Sequence, residues 1–307
     1  MSCKVCVHKE MFSKICVHKE MCCTICVQKE FFCTFCPRNE IFCKFRVRIL
    51  MFSESVFKIN VLFSFVSTRK CPVQILSTSK FSVNFGSTRK FSVKFVSTRN
   101  CKVHFVSTRN YSVQFQSKTK YSVQFVSKRK CTAIFVSKRK NSAYFVSERK
   151  CSVQFVSTRN CSVQFVSTRK CSENLFPQGN VLYNLFPKGF VLYSLCTQEI
   201  FCTVCVQKDL FCTFYFHNKM YCTLCVHKEL YCTFCFQKEI FCTICVRKEM
   251  FFKFCVLNKY SVHLVSIRKC SEMSVSRRKC SVHLLSTRKC SVHFVSTKNI
   301  LYILFPQ

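Results

Sequence analysis

Paired cysteines are the residues whose spacing points most directly to chemistry. Cys222-x2-Cys225 is followed after six residues by Cys232-x2-Cys235, and after six more by Cys242-x2-Cys245. Near the N-terminus Cys23-x2-Cys26 and Cys33-x2-Cys36 repeat the arrangement. Two thiolates separated by two residues can chelate one Zn²⁺, and two such pairs can complete a tetrahedral site. His227 and His18 stand close enough to replace a missing thiolate. The residues inside the pairs ("CTIC", "CTFC") are β-branched or aromatic, however, without the Gly or Pro that shapes a knuckle turn. A repeated unit also copies its own spacing. The expectation is therefore free thiols, no metal and no cofactor, with the six cysteines from Cys222 to Cys245 as zinc ligands only under an alternative reading.

The histidines follow the same logic. His104, His263, His283 and His293 occupy the place held by Gln114, Gln124, Gln154 and Gln164 in neighbouring repeats, and Gln and His codons differ by one third-position base. General-base catalysis needs a His oriented by a partner. Acidic residues are sparse in these stretches, where Glu148 and Glu272 stand isolated. The three glycines, Gly86, Gly179 and Gly189, make no phosphate loop. No catalytic residue and no enzyme are expected. Basic clusters such as "STRK" at 167–170 and "SRRK" at 276–279 alternate with Phe, a pattern that can neutralise phosphates and stack bases. It equally describes solvated, charged turns between apolar strands.

These residues all sit in a ten-residue repeat that takes three forms. Cys-pair repeats ("FCTICVRKEM") cover 1–50, and a transition covers 51–60. STRK repeats ("CSVQFVSTRK") cover 61–173, and FPQG repeats ("NLFPQGNVLYNLFPKG") cover 174–198. Cys-pair repeats with a transition return over 199–259, STRK repeats over 260–299, and an FPQG fragment over 300–307. The three share no residue pattern, yet one 30-base unit can write them all. TGT TCT GTA CAA TTT GTT TCC ACA AGG AAA encodes the STRK form. One base later it encodes VLYNLFPQGN, and two bases later FCTICFHKEM, which differs from residues 241–250 at two places. The order of blocks repeats the same one-base step, and the phrase slips one position per cycle: Phe32 opens its block at the second place of ten, Phe201 at the first. The sequence is thus expected to be a translated, frame-shifted tandem repeat, its residues set by DNA duplication and carrying no dedicated biochemical function. The alternatives are a basic, Cys-rich repeat protein that binds nucleic acid non-specifically, with or without zinc, and a self-assembling structural β-repeat protein.

Composition bounds the rest. Lys and Arg outnumber Asp and Glu by 49 to 13, a formal charge of +36 that draws the chain toward polyanions. At 49% hydrophobic residues it is too apolar for an ordinary disordered polyelectrolyte. The start, "MSCKVCVHKEMFSK", lacks the apolar core of a secretory signal, so its 29 cysteines are expected to stay reduced. No run of apolar residues is long enough for a membrane-spanning helix.

In "SVQFVS" (162–167) Val163 and Phe165 fall on one face of a strand, and Gln164 and Val166 on the other. A strand and a corner per ten residues predict a β-solenoid or a β-meander if the chain is ordered. The Cys-pair form, apolar on both faces, predicts a strand buried on both. Against order stand the lack of turn glycine and the stacking of charge at the corners. The chain is accordingly expected to be β-prone and self-associating without a single native state, the solenoid being the second choice.

Overall fold

A computed structural model describes the backbone continuously over residues 80–277 and over the strands on either side; side chains are described mainly over 72–195 and 201–293. All regular structure in the described residues is β-strand, mostly of six to eight residues. The chain divides into two compact units, Met1–Val153 and Gln154–Gln307, and each is a parallel β-solenoid.

Within the first unit every strand pairs in parallel with the strand two repeats away. Phe91 faces Tyr111, Val93 faces Val113 and Phe95 faces Phe115, a spacing of twenty residues. The alternate strands do the same, with Val103 opposite Val123 and Phe105 opposite Phe125. One coil is therefore two decapeptides, each a strand and a corner. Parallel pairing excludes the meander, in which neighbouring strands are antiparallel.

The alternation of side chains along each strand decides the core. In Lys150–Ser157 and its neighbours the first, third, fifth and seventh positions of the repeat point inward, giving columns of Cys, Val, Phe and Ser. Like residues stack on like residues. Phe65, Phe85, Phe105, Phe125 and Phe145 form one column, with adjacent centroids 4.6–5.0 Å apart and planes within 8°. Offset aromatic pairs of this kind add about 0.5–1.5 kcal/mol each beyond the area they bury.

The corners explain why most repeats need no glycine. Tight hairpins reverse the chain onto the same sheet and need positive φ. Here the chain turns a corner into the next face, and no described residue has positive φ. The corners are held from coil to coil instead: the amides of Thr108 and Lys128 donate to the carbonyls of Ser87 and Ser107 at 3.1 Å. At the alternate corners inward serines add a bond of their own, with Ser97 Oγ donating to Arg99 O at 2.8 Å.

In the second unit the three repeat forms occupy one geometry. Cys161, Val163, Phe165 and Ser167 of an STRK strand lie in register with Val181, Tyr183, Leu185 and Pro187 of an FPQG strand, and all eight are buried. The Cys-pair strand Glu239–Val246 buries Ile240, Cys242, Ile244 and Val246. Each frame of the unit thus supplies four residues able to line a core, so replacing one form by another leaves the solenoid intact.

The slip between blocks also has a structural counterpart. Asn180 faces Glu199 and Val191 faces Leu210, a spacing of nineteen, and an irregularity between Thr197 and Glu199 restores twenty. Up to Leu195 the buried positions are odd-numbered; from Cys202 they are even-numbered. One short coil absorbs the slip and keeps every repeat form facing the right way.

Candidate functional site

The two cysteines of a Cys-x2-Cys pair are three residues apart on a strand, and such positions project to opposite faces. Cys222, Cys232 and Cys242 point into the core, whereas Cys225 is exposed and Cys235 and Cys245 are half-buried. A pair therefore does not converge on one ion. Columns form instead, between cysteines twenty residues apart. Inside, Cys202 Sγ lies 3.0 Å from Cys222 Sγ, and Cys212 Sγ lies 2.8 Å from Cys232 Sγ. Outside, Cys205, Cys225 and Cys245 occupy equivalent places on successive strands.

Burial pushes the inner thiols up: Cys222 and Cys232 lie well above the ordinary value, with neighbouring thiols adding to the effect, and Cys212 is raised against an opposing hydrogen bond with Cys232. Such groups stay protonated and resist the deprotonation that metal binding needs. Among the described residues no group of three or more His, Cys, Asp or Glu side chains is arranged to hold a metal ion. His227 is exposed with the outer cysteines, its Nδ1 3.5 Å from an Arg247 guanidinium nitrogen. The side chains of Cys23, Cys33 and Cys36, and residue His18, lie outside the described residues.

The outer face of the Cys-pair strands departs from the doubly buried strand expected of it. Phe201, Tyr221 and Phe241 are 48%, 40% and 46% exposed and stack at 5.0 and 5.4 Å. Beside them, over the outer cysteines, a shallow groove of about 500 Å³ is bordered by Lys188, His227 and Arg247.

Two buried carboxylates escape a motif search. Glu173 and Glu272 take the third place of the repeat, the inward Val, and each is 1% exposed. Glu173 accepts a hydrogen bond from Tyr183. Glu272 accepts one from Ser274 at 2.7 Å, and burial pushes its carboxyl up to about 7. Aligning each repeat to its neighbours would have revealed both as Val-to-Glu changes at a core position.

The basic clusters are gathered most completely. In the first unit, successive corners place Arg89, Arg109, Arg129 and Arg149 above one another. The amides of Asn110, Lys130 and Lys150 donate to the carbonyls of Arg89, Arg109 and Arg129 at 3.0–3.1 Å. Lys90, Lys128, Lys130 and Lys150 flank this column and all are exposed. Lys118, Lys120, Lys138, Arg139 and Lys140 extend the pattern on the alternate corners. Adjacent coils lie about 4.8 Å apart, so each corner is a ladder of cations. Between residues 80 and 150 the acidic residue is Glu148 alone.

The chain matches no protein-family model, no curated protein and no solved structure. No described helix is long and apolar enough to cross a membrane.

Proposed function

We propose that the chain is a structural β-solenoid, not an enzyme, whose cationic corners bind polyanions such as nucleic acid without reading their sequence. The column Arg89, Arg109, Arg129 and Arg149 carries this reading. Charges repeated about every 4.8 Å along a fixed backbone suit a polymer that repeats its own charge. The ladder holds like charges together with little acid to offset them, so a polyanion that replaces the counterions relieves that repulsion. Base readout would need a groove-reading helix or strand with particular donors and acceptors, which a repeated corner does not supply.

The test is single-stranded RNA affinity measured over a salt series with purified chain. Binding is expected to weaken linearly in log–log form. Changing Arg109, Arg129 and Arg149 together to Gln is expected to lower the slope by about 2, at roughly 0.7 per lost phosphate contact on a single strand. Affinity insensitive to salt, or a slope unchanged by the triple substitution, overturns the reading.

The frame-shifted origin is compatible with this surface and has its own test. If the three block types fail to align at nucleotide level in shifted frames, the 30-base unit is wrong. If they align and base changes among repeats fall without regard to the encoded residue, polyanion binding is a physical property of the surface rather than a selected activity.

A further inference from the structure

The outward cysteine column has chemistry that neither the paired spacing nor the basic corners suggest. Cys205 faces Cys225, and Cys225 faces Cys245, on three successive parallel strands. The thiols of Cys205 and Cys245 are raised, by partial burial first and then by the neighbouring Cys225 thiol, so the three sense one another across the strands. In-register neighbours in a sheet have Cα atoms about 4.8 Å apart, inside the 4.4–6.8 Å range that a disulfide spans. The column lines the groove bordered by Lys188, His227 and Arg247. Partly exposed thiols in an open groove can be reached by an oxidant, whereas those sealed in the core cannot.

We propose that Cys205, Cys225 and Cys245 form an oxidisable surface site in which Cys225 closes a disulfide with one neighbour, linking consecutive coils. The oxidant is a small-molecule disulfide of the glutathione class. The Cys225 thiolate attacks one sulfur of that disulfide, breaking its S–S bond and releasing one small thiolate. The thiolate of Cys205 or Cys245 then attacks the Cys225 sulfur and expels the second. Two protein thiols become one disulfide, one small disulfide becomes two thiols, and the two protein protons pass to them.

The third thiol of the column stays reduced beside the new bond. It can attack that bond in turn and move it one coil along. Parallel side chains on adjacent strands hold their Cβ atoms near the strand spacing, wider than the mean of about 3.8 Å in a disulfide. Closing the bond therefore pinches the strands, and a bond of this kind is readily reduced again.

Two competing outcomes are disfavoured by geometry. Cys222 and Cys225 project to opposite faces, so the bond that a Cys-x2-Cys spacing would suggest does not close within the folded strand. Cys202 and Cys222 are in contact but sealed in the core.

The experiment exposes the folded chain to oxidised glutathione, quenches it in acid, then alkylates the remaining thiols after unfolding. Digestion by trypsin without reduction is followed by mass spectrometry. The expected product joins peptide 220–228 through Cys225 to peptide 189–208 or 239–247, with Cys222 alkylated. A Cys222–Cys225 bond inside peptide 220–228, or Cys225 carrying only glutathione, overturns the proposal. Cys225→Ser, a substitution at an exposed position, is expected to lower cross-linking of Cys205 and Cys245 at least tenfold, because they are then two strand spacings, about 9.6 Å, apart. Persistence of a Cys205–Cys245 bond in that variant also overturns it. The mapping of the unsubstituted chain decides the matter even if the variant does not fold.

Discussion

Glu272 offers the sharpest quantitative test of the solenoid. Its carboxyl stands in a column between Phe252 and Val292, 1% exposed, where Val262 and Val282 fill the same place on the alternate strands. One oxygen accepts from Ser274; the other has no hydrogen-bond partner. Burial raises its pKa from 4.5 to about 7, with the Ser274 bond acting the other way. A carboxyl raised in the folded state binds its proton more tightly there than in the unfolded chain. Below about pH 4.5 both states are protonated and nothing is lost. Between 4.5 and 7 the unfolded chain ionises first, and stability falls by about 1.4 kcal/mol per pH unit. Above 7 the loss levels off at about 3 kcal/mol.

Glu272→Gln removes the titration and keeps an acceptor for Ser274. Urea unfolding followed by circular dichroism from pH 4 to pH 8 should show the variant gaining on the parent across that window. The gain should reach about 3 kcal/mol at pH 8. The other carboxylates titrate in both proteins and cancel in the difference. A difference that is the same at pH 4 and pH 8 would refute the placement of Glu272 in the core.

Four further substitutions probe the core, the outer face and the corners. Phe234→Ala empties a fully buried place between Phe214 and Phe254, each 4.9 Å away; it should cost about 3–5 kcal/mol in thermal unfolding, whereas Phe241→Ala on the exposed ladder should cost about 1 kcal/mol or less. Ser127 buries a hydroxyl without a hydrogen-bond partner, so Ser127→Ala should raise stability by about 1 kcal/mol in denaturant titration. A Cβ at Gly189 would stand 1.6 Å from the Arg169 carbonyl oxygen. Gly189→Ala should therefore open that corner, and the Lys188 amide, which donates to Ser167 O at 2.7 Å, should exchange its hydrogen about tenfold faster.

The strand over 162–167 and its inward Val163 and Phe165 were legible from alternation alone, because the period of two is local. The coil was not. A ten-residue period permits stacking at ten, twenty or thirty, and only closure of two strands and two corners selects twenty. The want of glycine argued against order because it was judged by hairpin rules; the corners between faces use ordinary backbone. The Cys-pair form was expected to be buried on both faces, yet a single-coil core has one inside, so Phe201, Tyr221 and Phe241 stack in solvent. The spacing of Cys222 and Cys225 suggested a shared ion because it was counted along the chain. Strand parity separates them, and the pairing that matters, Cys205 with Cys225, is invisible without the coil length.

A coil made of two interchangeable decapeptides has a consequence for how such a chain can grow or shrink. Gaining or losing one decapeptide within the second unit would send every downstream strand to the other side of the tube. Each would still meet a neighbour of its own kind, because both sides accept the same four inward residues. Copy number is therefore free to drift by odd as well as even steps without a scar in the packing. What would change is the outer surface: for a step taken ahead of Phe186, Cys205, Cys225 and Cys245 would keep their company but trade sides, carrying their groove with them.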